Sequence, residues 1–118
     1  MSLDLTLLIV TSFKDGQHGF AHTMIEWGQA HNIYEALDTR AFELPTYELN
    51  SYVSKGNCYG KVYETPYGDR LIYIKAKDFI KVIDDRDIEG LVIDPEQYGI
   101  IAYLKRLDPQ RLIALYYH

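Results

Sequence analysis

Tyr59-Gly60-Lys61-Val62-Tyr63-Glu64-Thr65-Pro66-Tyr67-Gly68-Asp69-Arg70-Leu71-Ile72-Tyr73-Ile74-Lys75 is the stretch whose reading decides the fold. Thr65-Pro66-Tyr67-Gly68 puts proline at the second position of a type I turn and glycine at the fourth. That is the signature of a three-residue hairpin loop closed by a left-handed glycine. Pairing Thr65 with Asp69 sends Val62, Ile72 and Ile74 to one face and Tyr59, Lys61, Tyr63, Leu71, Tyr73 and Lys75 to the other. The aliphatic set is expected in the core, leaving the tyrosines and lysines outward or beneath a partner. A two-residue loop would shift the register and mix the faces.

Working outward, residues 5–10 (Leu5-Thr6-Leu7-Leu8-Ile9-Val10) carry hydrophobes at both parities, the mark of a central strand. Lys14-Asp15-Gly16 closes it with turn residues. A helix is expected from residue 17 or 19 to 31: at 100° per residue Phe20, Met24, Trp27 and His31 fall on one stripe, opposite His18, His22, Glu26 and Gln29. Residues 32–40 fit either a helical extension or a second strand, and Pro45 ends what precedes it.

Beyond the hairpin, 77–84 reads as a short helix and 91–93 as a short strand. Asp94-Pro95-Glu96-Gln97 is a helix start, with Asp as N-cap, Pro in the first position and Gln three residues after the cap. That helix turns Ile100, Ile101, Leu104 and Leu107 inward and ends near Lys105 and Arg106. Residues 112–117 form a last strand, although Asp108-Pro109 fits a helix start equally. The order strand, helix, hairpin, helix, strand gives a single α+β domain over residues 1–118. It is a two-layer sandwich of helices on a mainly antiparallel sheet, and a ferredoxin-like arrangement fits the order best. Residues 41–53 and 77–93 then become insertions or added edge pieces.

The chain has 118 residues, with 47% apolar, 25% charged and a formal net charge of −5. These values suit a globular domain that needs no metal or disulfide staple. A sequence pI of about 5.2 argues against nucleic acid as a partner, since phosphate binding needs clustered Lys and Arg. It suits a basic protein partner. Cys58 is the lone cysteine, so no internal disulfide forms. The N-terminal residues carry no basic region and the apolar run is too short for a membrane span, so a cytoplasmic chain without an anchor is expected.

Three constellations invite chemistry. His18, His22 and Glu26 would share one helical face, where imidazoles four apart can hold zinc. Against that, no further ligand is evident, and Gly19 weakens the helix. Asp85-x-Asp87-x-Glu89-Gly90, with Glu96 in the twelfth position, resembles the EF-hand calcium loop. It departs from the pattern at Ile93, Pro95 and Asp84. The same acidic run reads as a solvated turn, or as a patch facing a basic partner. His31 and Cys58 lack a visible pocket or activating base. With no phosphate loop, nucleophile elbow or metalloprotease helix, we expect no enzyme, no catalytic residue and no cofactor.

Eleven tyrosines in so short a chain then carry the functional expectation, because tyrosine offers a large contact area with only two torsions to freeze. The chain reads as a non-enzymatic protein-binding domain: an inhibitor, immunity or accessory protein. Its contacts are expected from Tyr59, Lys61, Tyr63, Tyr67 and Tyr73 of the hairpin and from Asp84, Asp85, Asp87 and Glu89 of the acidic loop. Homo-oligomerisation through the same face is a rival. The alternative is a module responsive to a small ligand or to calcium or zinc.

Overall fold

The computed structural model describes residues 3–14, 18–43, 48–53, 58–62, 69–84 and 91–118. These form strands β1 (Asp4–Lys14), β2 (His18–Gln29), β3 (Phe42–Glu43), β4 (Glu48–Val53), β5 (Cys58–Val62), β6 (Ile72–Lys75) and β7 (Leu112–Tyr117). Helices α1 (Tyr34–Arg40), α2 (Ala76–Ile83) and α3 (Pro95–Lys105) complete them. The strands make one sheet in the order β3-β6-β7-β1-β2-β4-β5. From β3 to β2 all neighbours are antiparallel; β4 runs parallel to β2, and β5 antiparallel to β4. This is an α+β fold, but its strand order differs from a ferredoxin-like arrangement. A βαββαβ chain would follow its first strand with a helix, whereas β1 turns directly into β2.

β1 is the central strand its composition indicates, flanked by β7 and β2. Leu5, Leu7 and Ile9 face the helices, while Leu8 and Val10 face the other way, and all five are buried. The expected helix at 17–31 is instead β2. A helical stripe would put Met24 and Trp27 on one side. In the strand Trp27 is 4% exposed beneath the helices, and Met24 is 39% exposed. The ladder with β1 stabilises every turn of this segment non-locally, and its aromatic and β-branched residues Phe20, Thr23, Ile25 and Trp27 suit a pleated surface. The register steps from Leu5↔Gly28 to Thr6↔Glu26, so Trp27 is the extra residue of a bulge.

The expected hairpin across 59–75 does not pair β5 with β6. β5 pairs with β4 at one edge of the sheet, while β6 lies between β3 and β7 near the other. The turn signal at 65–68 lies outside the described residues. A turn residue set biases only the local chain; the partner of β6 is decided by burial. Ile72 and Ile74 do face the helical core as expected, opposite Leu115 and Ile113 of β7. Tyr73, expected outward, is 2% exposed, packed in a second core with Leu8, Val10, Ala21, Leu71 and Ala114. A strand inside a sheet with apolar neighbours on both faces has no outward face.

The helices cover one face. Ile33 and Leu37, Phe79, Val82 and Ile83, and Ile101 and Leu104 meet the inward side chains of β1, β2, β6 and β7. Trp27 and Phe79 meet edge to face, ring centroids 5.3 Å apart. α3 starts as expected: Asp94 accepts from the Gln97 backbone N–H at 2.8 Å, and the Gln97 side chain accepts from the Asp94 N–H at 3.1 Å. Residues 91–93, expected as a strand, lead into that cap without regular secondary structure and outside the sheet. Residues 34–40, left open between helix and strand, are helical. Residues 112–117 are the strand chosen over a helix: Asp108 makes a turn, accepting from the Gln110 N–H at 2.8 Å.

Candidate functional site

α1 ends where Ala41 turns extended (φ −85, ψ 161), its N–H held by the Leu37 carbonyl. The chain then enters β3 with no room for a loop, which sets Asp38 of the last helical turn beside Glu43 at the sheet edge. β6 and β7 supply the facing wall. The result is a cleft of about 340 Å³ lined by Asp38, Glu43, Asp69, Arg70, Ile72, Leu115 and Tyr117. Among the described residues, three carboxylates stand there against one guanidinium. Ile72, Leu115 and the Tyr117 ring form the apolar floor, because alternation along β7 points Tyr117 to the same face as Ile113 and Leu115.

The Tyr117 hydroxyl donates to the Asp38 Oδ1 at 3.4 Å. Burial, the Asp38 charge and this bond together push the phenol far above its ordinary range, so it stays a donor and does not act as a base. Asp38 is raised above the ordinary carboxylate value. Burial is the main cause, the Tyr117 bond opposes it, and the charges of Asp69 and Glu35 add to it. Next to it, the Tyr34 hydroxyl donates to Glu35 Oε1 at 3.1 Å. The cleft thus gathers three carboxylates, and burial disfavours the charged form of Asp38. A cation entering it would gain carboxylate partners and lay an aliphatic stem on the apolar floor. Among the described residues lining the cleft there is no Ser, Thr, Cys, His or Lys.

Of the contact residues expected from sequence, Tyr63, Tyr67, Asp85, Asp87 and Glu89 lie outside the described residues. Tyr59 and Lys61 are placed by their backbone in β5, opposite Tyr52 and Asn50 of β4. Asp84 is exposed at the end of α2, its N–H bonded to the Ile80 carbonyl. The order of the sheet sets β5 at the edge remote from β3, so Tyr59 and Lys61 and the acidic cleft belong to different edges. Tyr73 is a core residue.

The histidine reading changes with the secondary structure. In β2, His18 and His22 are about 13 Å apart along the strand at roughly 3.3 Å per residue. Glu26 is as far again, so the three do not share a helical face. His31 is exposed, its Nε2 accepting from the Leu3 N–H at 3.1 Å. Among the described residues, no group of three or more His, Cys, Asp or Glu is placed to hold a metal. The loop resembling an EF-hand lies mostly outside them, but Asp94 is engaged as the α3 cap. Thr6 Oγ1 and His118 Nε2 are 2.9 Å apart, a pairing of nucleophile and base types that ties the end of β7 to β1.

A second cleft of about 300 Å³ lies between the end of β2 and residues 91–97, lined among others by Trp27, Asn32, Val92 and Gln97. Its Gln97 amide already bonds the Trp27 carbonyl and the Asp94 N–H. Among the described helices, none is long and apolar enough to cross a membrane. Compared with protein-family models, curated proteins and solved structures, the chain matches none of them. The cleft residues Asp38, Glu43, Asp69 and Tyr117 escaped the sequence reading because they come from three stretches distant in the chain, 38–43, 69 and 117. The one available signal was Tyr117 alternating with Leu115 and Ile113, which marks it as facing the helices.

Proposed function

We propose that this chain is a non-enzymatic protein-binding domain, a cytoplasmic inhibitor, immunity or accessory protein, which receives a Lys or Arg side chain of a basic partner in the Asp38/Glu43/Asp69 cleft. The observation that carries the reading is the cleft's composition: three carboxylates against one guanidinium, over an apolar floor, in a chain of net charge −5. Arginine suits it better than lysine, since its planar fork can meet two carboxylates at once. The general negative charge steers a cationic partner toward encounter, and the cleft fixes the contact. The loop acids Asp84, Asp85, Asp87 and Glu89 add to that steering. Tyr59 and Lys61 of β5 would belong to a separate contact at the other edge.

The test is quantitative capture from host lysate with wild type and with Asp38→Asn/Asp69→Asn, followed by reconstitution of the protein retained. The expected partner is basic and enriched by wild type. Its binding is lost by the variant and weakened by salt. Each lost charge-assisted hydrogen bond is worth about 1.5–3 kcal/mol, roughly tenfold or more in affinity. A reconstituted partner that binds the folded double variant as tightly as wild type overturns the assignment of the cleft.

A further inference from the structure

The helical layer has a third concavity, at the other end of the β6–β7 ladder. The acidic cleft lies by the Ile72↔Leu115 pair; the ladder closes at Lys75↔Leu112, where β6 runs into α2. There α2, the last turn of α3 and the turn before β7 enclose a groove of about 200 Å³, lined by Ala76, Lys77, Ile80, Leu104, Lys105, Leu107 and Pro109. Its floor is apolar: Ala76 and Leu104 are fully buried, and Ile80 and Leu107 half-buried. Lys77 and Lys105 are both exposed, and among the described residues no carboxylate lines the groove.

Two observations define the occupant. First, the sign of the charge is inverted: in a chain of net charge −5, the charged side chains lining this groove, among the described residues, are the lysines Lys77 and Lys105, with Asp78 and Asp108 adjacent in the chain but not in the lining. Second, the backbone donors at the start of α2 are taken, since the Ala76 and Lys77 N–H groups bond the Arg111 and Pro109 carbonyls at 2.9 and 3.1 Å. An incoming group must therefore be held by the two ammonium groups and the apolar floor. A second copy of this chain does not supply it through its acidic cleft, because two concave surfaces cannot fill one another.

We propose that this groove docks a short acidic segment of another protein, with one large apolar side chain on the Ile80/Leu104/Leu107 floor and flanking Asp or Glu side chains paired with Lys77 and Lys105. This is independent of the acidic cleft, and the two sites together make the domain a connector between a basic and an acidic partner.

The experiment selects random short peptides displayed on phage against the immobilised full chain, then measures each enriched peptide by fluorescence anisotropy. Enriched sequences are expected to carry a Leu, Met or Phe flanked by acids. They should bind Lys77→Glu/Lys105→Glu about tenfold or more weakly, and the gap should narrow as salt rises. Lys77→Ala/Lys105→Ala should fall between the two, and Asp38→Asn/Asp69→Asn should bind like wild type. Circular dichroism and melting of each variant identify the folded ones to be compared. Basic peptides that Asp38→Asn/Asp69→Asn no longer binds belong to the acidic cleft; a selection on that variant that enriches only basic or uncharged sequences overturns the proposal. So does no enrichment over the bare support, or peptides that bind a folded lysine variant as tightly as wild type.

Discussion

Gln97 joins α3 to the sheet, and its replacement should be costly for a reason no propensity scale contains. Its side chain donates to the Trp27 carbonyl at 2.9 Å and accepts from the Asp94 N–H at 3.1 Å. Trp27 is the bulged residue of β2, whose own groups the ladder leaves unpaired, and Gln97 is 8% exposed. Gln97→Met keeps the volume and removes both bonds. Each costs about 1 kcal/mol net, and the orphaned carbonyl adds a desolvation penalty of about 1–3 kcal/mol. A loss of about 3–5 kcal/mol follows, lowering Tm by roughly 15 °C for a domain of this size. Gln97→Glu sharpens the test. Ionised, it sets a carboxylate oxygen against the Trp27 carbonyl; protonated, it can donate to it. The folded state therefore raises the new carboxyl above about 4.3. Stability of the variant relative to wild type is fully retained below that value and falls as pH rises through the raised one. Urea unfolding of both variants and wild type across pH reads this directly. A Gln97→Met cost below about 0.5 kcal/mol, against the roughly 1 kcal/mol of a single net hydrogen bond, would refute the reasoning. So would a Gln97→Glu deficit independent of pH.

Three further outcomes follow from the structure. Tyr73→Ala should cost about 3–5 kcal/mol in chemical denaturation, as for a large aromatic removed from a core; a loss of a few tenths would return Tyr73 to the surface. Trp27 should emit as a buried indole that resists iodide quenching, and Phe79→Leu should alter its near-ultraviolet dichroism while leaving emission blue-shifted; ready quenching in the native state would contradict its place under α2. Asp38 opposes folding when ionised, so its contribution is favourable below the ordinary value of 3.8 and is lost as pH rises through its raised value. Asp38→Asn should match wild type in acid, melt no lower at neutral pH and still lose cation binding; equal destabilisation at every pH would show a purely structural role.

The parts of the fold legible in the sequence are those set by local chemistry. Asp94, Pro95 and Gln97 announce the start of α3 because a cap is satisfied within four residues. Doubled hydrophobic parity in 5–10 marks a strand covered on both faces, and the amphipathic spacing of 77–84 marks α2. What failed was pairing. Residues 18–29 fit a helical stripe through Phe20, Met24 and Trp27, and only the ladder with β1, with its bulge at Trp27, reveals that Met24 and Trp27 face opposite sides. The turn chemistry of 65–68 carries no information about whether β6 pairs with β5 or with β7. Since β7 covers both Ile74 and Tyr73, long-range burial wins. The cleft is illegible for the same reason: Asp38, Glu43, Asp69 and Tyr117 become neighbours only once α1, β3, β6 and β7 are assembled.

The central claim is that the cleft binds a cationic side chain, and carboxyl-carbon NMR tests it most directly. The labelled chain is titrated with a blocked glycine peptide carrying a single Arg, and in parallel with the same peptide carrying norleucine. The account predicts saturable shifts at Asp38, Glu43 and Asp69 with the Arg peptide alone, while the exposed Glu96 stays nearly still. Equal, unsaturated drift of all the acidic side chains, or the same response to norleucine, would contradict it.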